Sequence, residues 1–241
     1  MGKVQIPTVA QRRYVEPVEI KQLRKAWLPG DSDFVIHMVG RDGPNYSDLG
    51  EIASMTPQER LEQVLHDQKL RAFVPFQGTL PVVCAAACTL EAIGRLISIG
   101  RYKTFGLGFS KQFFFERGGA PVLYVRADEW SGLSGLSHEL RARVAKYWPG
   151  AEPSSPCESL DAFLRADVEF DWEREWRVLD DLQFDWGDVA FLVLPDVEVR
   201  TGLALKFSAY GDEYRRRFES VPVVVFNERG EIVHNEVPGL R

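Results

Sequence analysis

The alternation of apolar and polar positions divides the chain into short segments of mixed type. Val18, Ile20, Leu23, Ala26 and Trp27 recur among charges over residues 17–27, the period of an amphipathic helix, and Pro29-Gly30 ends it. Phe34 to Val39 is an apolar run with His37 inside it, the mark of a buried strand. A polar, glycine-bearing loop follows from Arg41 to Met55. Thr56-Pro57-Gln58-Glu59 has the residues of a capping box with proline at the first helical position, and the helix it opens buries Leu61, Val64 and Leu65. Strands are predicted around Ala72–Val74 and Pro81–Cys84. Thr89 then caps a second helix, with Ile93, Leu96 and Ile97 inward and Gly100 as its stop.

Phe105 to Ser110 reads as a strand, Gly118-Gly119 as a turn and Pro121 to Val125 as a strand. Residues 136–148 have the pattern of a basic amphipathic helix, and Pro149 to Pro156 is a loop too short for a domain linker. Asp185 to Asp188 turns into the strand Val189–Leu194, which stops at Pro195. A polar helix over about 208–219 leads into Val221–Phe226, and Asn227 to Gly230 turns back into Ile232-Val233 as a terminal hairpin. Helices and strands mix without regular βα alternation, so the class is α+β. The reading is one domain over 1–241, with 1–33 as an N-terminal helical extension.

Composition narrows the classes. Hydrophobic residues at 45% and charged residues at 27% are ordinary for a soluble globular protein. No apolar run is long enough to span a membrane, and the first thirty residues lack a signal-peptide apolar region. Three cysteines without a pairing pattern suit a reducing cytoplasm. A net charge of −6 gives no global attraction to phosphate backbones. Arg12-Arg13 and Arg215-Arg216-Arg217 are local basic clusters, but most such clusters are solvated faces, so nucleic acid is not a favoured partner.

Asp171-Trp172-Glu173-Arg174-Glu175-Trp176-Arg177-Val178 is the densest stretch of candidate chemistry. As a strand, it puts Glu173, Glu175 and Arg177 on one face and Trp172, Arg174, Trp176 and Val178 on the other. As a helix, Glu173 and Arg177 form an i,i+4 pair and the tryptophans an apolar stripe. The strand that follows at 189–194 favours the first arrangement. His37 is either a core histidine satisfied by backbone or a hydrogen-bond donor to a ribose hydroxyl. Gly106 and Gly108 share a strand face and allow close approach of a backbone or ligand, without the dinucleotide fingerprint. Cys84 and Cys88 lack the complement of a zinc site. No Ser-His-Asp arrangement assembles, and magnesium on Asp171, Glu173 and Glu175 is not favoured.

Together, His37 in its strand, Leu65-His66-Asp67-Gln68-Lys69-Leu70, Pro81-Val82-Val83-Cys84, Tyr102 to Lys111, Gly119 to Tyr124 and Glu173-Arg174-Glu175-Trp176-Arg177 resemble the AbiGi-like abortive-infection family, itself distantly similar to DarT-like ADP-ribosyltransferases. The resemblance covers roughly residues 34–194; its Y-x-x-[FY]-G-x-G-F-S-K and E-x-E-W-R pieces are moderately specific. It implies an ADP-ribosyltransferase-like split β-sheet with flanking helices and a cleft for NAD, consumed as substrate. Under it Glu175 and Glu173 are catalytic, while His37, Phe105, Gly106, Gly108, Ser110 and Arg177 bind NAD. It also implies phage defence or toxin–antitoxin biology, with an unidentified macromolecular acceptor or partner. Ala85-Ala86-Ala87-Cys88 departs from the polar or aromatic residues expected there. The family is also described as antitoxin-like, so a non-catalytic binding module is the second reading.

Overall fold

The computed structural model describes residues 33–40, 54–75, 80–126, 129–147 and 174–237. The expected helix at 17–27, the loop at 149–156, Trp172 and Glu173 lie outside the described residues. Residues 32–241 group into one unit.

The architecture is a mixed α/β fold built on a mostly antiparallel sheet. Its main strands are β1 (Phe34–Met38), β3 (Val82–Ala86), β4 (Gly106–Ser110), β5 (Ala120–Pro121), β8 (Glu175–Leu179), β10 (Val189–Leu194), β11 (Val223–Phe226) and β12 (Ile232–Asn235). They join in the order β12-β11-β10-β4-β1-β3-β8-β5 as one eight-stranded sheet, in which β10 and β11 form the parallel pair. Two short pairs stand beside it: β2 (Lys69–Leu70) with β9 (Leu182–Gln183), antiparallel, and β6 (Leu123–Arg126) with β7 (Val144–Tyr147), parallel.

The helices follow from local signals. Thr56 and Glu59 make both bonds of the capping box before α1 (Pro57–Asp67), which buries Leu61 and Leu65. Thr89 caps α2 (Leu90–Ser98), and Gly100, at φ 76°, takes up the left-handed conformation after it. α2 covers one sheet face with Leu90, Ile93, Leu96 and Ile97, packed in a cluster with Ile36, Ala86, Phe191 and Phe226. The opposite face carries Val35, Val83, Leu107, Phe109, Val178 and Leu192 against α1, α3 (Lys111–Glu116), α5 (Val197–Ser208) and α6 (Asp212–Ser220).

Several expected elements come out differently. The predicted helix at 136–148 is only α4 (His138–Ala142); from Val144 the chain becomes β7, because its residues find a parallel partner in β6. The predicted strand at 121–125 is divided: Ala120–Pro121 pairs with β8 and Leu123–Arg126 pairs with β7. The predicted helix at 208–219 is α6 (Asp212–Ser220), and a further helix not predicted, α5 (Val197–Ser208), precedes it, with Gly211 at φ 117° between them. At 72–74 a single bridge joins Phe73 to Val82.

Candidate functional site

Strand β8 matches the extended reading of its segment from Glu175 onward, while Arg174, expected within the strand, lies outside it. Arg174 at φ 46° and Asp180 at φ 62° bracket it, so the chain enters and leaves through left-handed turns. Trp176 and Val178 pack on the helical face with the α3 cluster, and Lys111 Nζ lies 5.9 Å over the Trp176 ring. Glu175 and Arg177 point to the other face. Opposite them on β3, Ala86 partners Glu175, Ala85 partners Trp176 and Cys84 partners Arg177. The alanine run thus has a packing reason: short side chains on β3 leave room for the large ones of β8.

Arg177 is buried, with 3% of its surface exposed. Its Nε and Nη2 each donate to one oxygen of Glu175, both at 2.9 Å, and Nη1 donates to the carbonyls of Ala142 and Val144, both at 3.4 Å. Burial presses the guanidinium to lose its proton, but the charge and hydrogen bonds of Glu175 outweigh that and hold its pKa above the ordinary value. Removing one member of so enclosed a pair costs about 3–5 kcal/mol, since the other is left charged and unpaired. With Nε, Nη1 and Nη2 each engaged by Glu175 or backbone, Arg177 sits behind the carboxylate.

His37 donates from Nδ1 to the Cys84 carbonyl at 2.7 Å. Since a carbonyl only accepts, Nδ1 carries the proton, and in the neutral ring Nε2 is an acceptor. Burial lowers the pKa of His37, with the Cys84 bond opposing it, so the ring is neutral at pH 7. The Cys84 bond is the backbone-satisfied arrangement that was one of the two readings of His37 from sequence, and it leaves Nε2 as an acceptor.

The register sorts the candidates by face. Phe191, Gly108, Ile36, Ala86 and Glu175 form one transverse row across β10, β4, β1, β3 and β8. Ile36 and Glu175 are then two strand spacings apart, roughly 10 Å. His37 lies one residue on, so the pleat turns it to the opposite face, with Leu107 beside it. Glu175 and His37 are close in the sheet but do not share a face.

The β4 residues are occupied by packing. A Cβ on Gly108 would lie 2.3 Å from Phe191 ring carbons, and one on Gly106 would lie 2.8 Å from the His37 carbonyl oxygen. Ser110 caps α3 by accepting from the Phe113 N–H at 3.1 Å, and Phe105 packs against the helical-face core. The arginine cluster of α6 is balanced within its own helix, which has three acidic and three basic side chains. Arg215 pairs with Glu219 and Arg217 with Glu213. Among the described residues no group of three or more His, Cys, Asp and Glu side chains is placed to hold a metal ion, and no helix is long and apolar enough to cross a membrane.

Sequence reasoning saw the Glu175–Arg177 proximity but missed the anchors behind it. The carbonyls of Ala142 and Val144 are 35 and 33 residues from Arg177, and nothing local marks them.

No family model and no curated protein matches this chain. Among solved structures it is similar to Thermus sp. 2.9 DarT in complex with carba-NAD+, at 14% identity over 82% of this chain and 97% of that one, with a TM-score of 0.37. A likeness that slight carries no argument.

Proposed function

We propose that the chain is an ADP-ribosyltransferase-like protein that takes NAD as its substrate and breaks the nicotinamide–ribose bond, with Glu175 beneath the ribosyl cation. The supporting observation is the placement of β1, β3 and β8 side by side, with Glu175 opening β8 in the row of Ile36 and Ala86. In that row β1 and β3 are joined through a single residue pair, Ile36 with Ala86, whereas β1 and β4 pair from end to end. The split form of the sheet belongs to the same reading; beyond that pair the His37 Nδ1 bond to the Cys84 carbonyl links β1 to β3.

In this reading the electrons of the N-glycosidic bond leave with nicotinamide, and an oxocarbenium-like cation develops on the ribose. Glu175 accepts a hydrogen bond from the 2′-hydroxyl and stabilises that cation. Glu173 orients the incoming nucleophile, and His37 Nε2 accepts from the adenosine-side ribose. Phe105, Gly106, Gly108 and Ser110 run alongside β1 in the sheet and hold it in place. The defence setting rests on the family resemblance alone.

A second reading, a non-catalytic binding module, is favoured by one observation. Glu175 is already paired through both oxygens with Arg177, the arrangement that a buried ion pair kept for structure alone would also show. Calorimetry with NAD, followed by measurement of free nicotinamide with protein, nucleic acid and lysate as acceptors, separates the two. Release supports the transferase; wild-type protein that releases none with any acceptor selects the binding module.

A further inference from the structure

We infer that Arg177 is the positioning residue of the Glu175 site, a fork that sets the carboxylate at one end and is itself set by the α4–β7 corner at the other. The inference deepens the transferase reading, and its catalytic arm rests on that reading. Among the described residues Arg177 is the charged side chain buried in the core. A planar guanidinium that holds both oxygens of Glu175 favours one setting of that carboxylate, and its longer Nη1 contacts to Ala142 and Val144, both at 3.4 Å, brace the fork from behind. The remaining lone pairs of Glu175 are left facing away from the fork.

The corner that supplies those carbonyls is held in turn. The Leu123 N–H donates to the Arg143 carbonyl at 2.8 Å, and Arg143 Nη2 donates to the Gly118 carbonyl at 2.6 Å. The Val122 N–H donates to the Glu175 carbonyl at 2.8 Å, so the same excursion of chain grips β8 by backbone as well. A shift of residues 142–144 therefore reaches Glu175 through one rigid side chain.

The full chain is tested as R177M and R177K, with NAD as the probe and amide hydrogen exchange over residues 140–147 as a second readout. A misplaced carboxylate loses transition-state contact, so kcat for nicotinamide release is expected to fall by roughly 10–100-fold while KM for NAD changes by less than about threefold. R177K keeps the charge without the fork and is not expected to rescue kcat. An arginine with a structural role alone would lower Tm and leave kcat per folded molecule unchanged. Exchange over 140–147 is expected to quicken in R177K and in Glu175→Gln, because loosening either end of the fork loosens the other. A folded R177K with wild-type kcat overturns the inference, and R177K decides the matter if R177M does not fold. If wild-type protein releases no nicotinamide, the transferase reading falls by itself and exchange decides the coupling. Faster exchange at 140–147 in Glu175→Gln then upholds it, and unchanged exchange overturns it.

Discussion

Replacing Gly108 with alanine asks whether the glycines of β4 serve a ligand or the core. Gly108 is the cross-strand partner of Phe191, whose exposure is 0%. An alanine Cβ would lie 2.3 Å from two ring carbons of Phe191. Carbon atoms in good contact are about 3.5–4.0 Å apart, so ring or strand must retreat by roughly 1.2–1.7 Å. Phe191 also meets Phe34 edge-on at 5.5 Å between centroids, which blocks one retreat. Overpacking of this kind costs about 1–3 kcal/mol, and in a chain of this size each kcal/mol moves Tm by roughly 2–4 °C. The expected outcome is a Tm lowered by about 2–12 °C, with the NAD affinity of the folded protein unchanged. Thermal melts and NAD titration of the same samples measure both. Unaltered stability with lost NAD affinity would refute the packing account and return Gly108 to the ligand.

Gly202 is the opposite case. It sits inside α5 with nothing within 4 Å of a would-be Cβ, so Gly202→Ala is expected to stabilise the protein by about 0.4–1 kcal/mol in denaturant titrations. No gain would mean that the helix there is not as open as described. For His37, the folded pKa lies below its unfolded value of 6.5, so the unfolded chain takes up a proton that the folded chain resists. Stability is whole above that value and is lost as pH falls from 6.5 toward the lowered folded pKa. His37→Asn keeps an N–H for the Cys84 carbonyl but does not titrate, so its Tm should fall less than the wild type's between about pH 7 and 5.5. Parallel curves for the two proteins would contradict this.

Where structure follows from neighbours in sequence, it was legible. The capping box at Thr56, the cap at Thr89, the strands at 34–38 and 189–194, and the hairpin of β11 and β12 all rest on residues a few positions apart. Tertiary pairing decided the rest. Residues 136–148 satisfy a helical period, yet Val144–Tyr147 gain a parallel ladder with β6 that local propensity does not reveal. α5 was missed because apolar residues occur on all its sides: Leu203 and Phe207 are buried while Val197 and Leu205 are exposed. Its one clear signal was Asp196, which accepts from the Val199 N–H at 2.6 Å. At the candidate site, period-2 alternation gave the faces of β8 correctly. It could not place His37 relative to Glu175, because that depends on the register between β1, β3 and β8.

The central claim is that Glu175 makes this chain an NAD-cleaving enzyme, and nicotinamide release by wild type and Glu175→Gln under the same conditions tests it most directly. Glutamine is nearly isosteric but lacks the charge needed more in the transition state than in the ground state. The account predicts release by the wild type, none by the variant, and similar NAD affinity in both by calorimetry. Release unchanged in Glu175→Gln would contradict the assignment of Glu175, and a wild type that neither binds NAD nor releases nicotinamide would contradict the function itself.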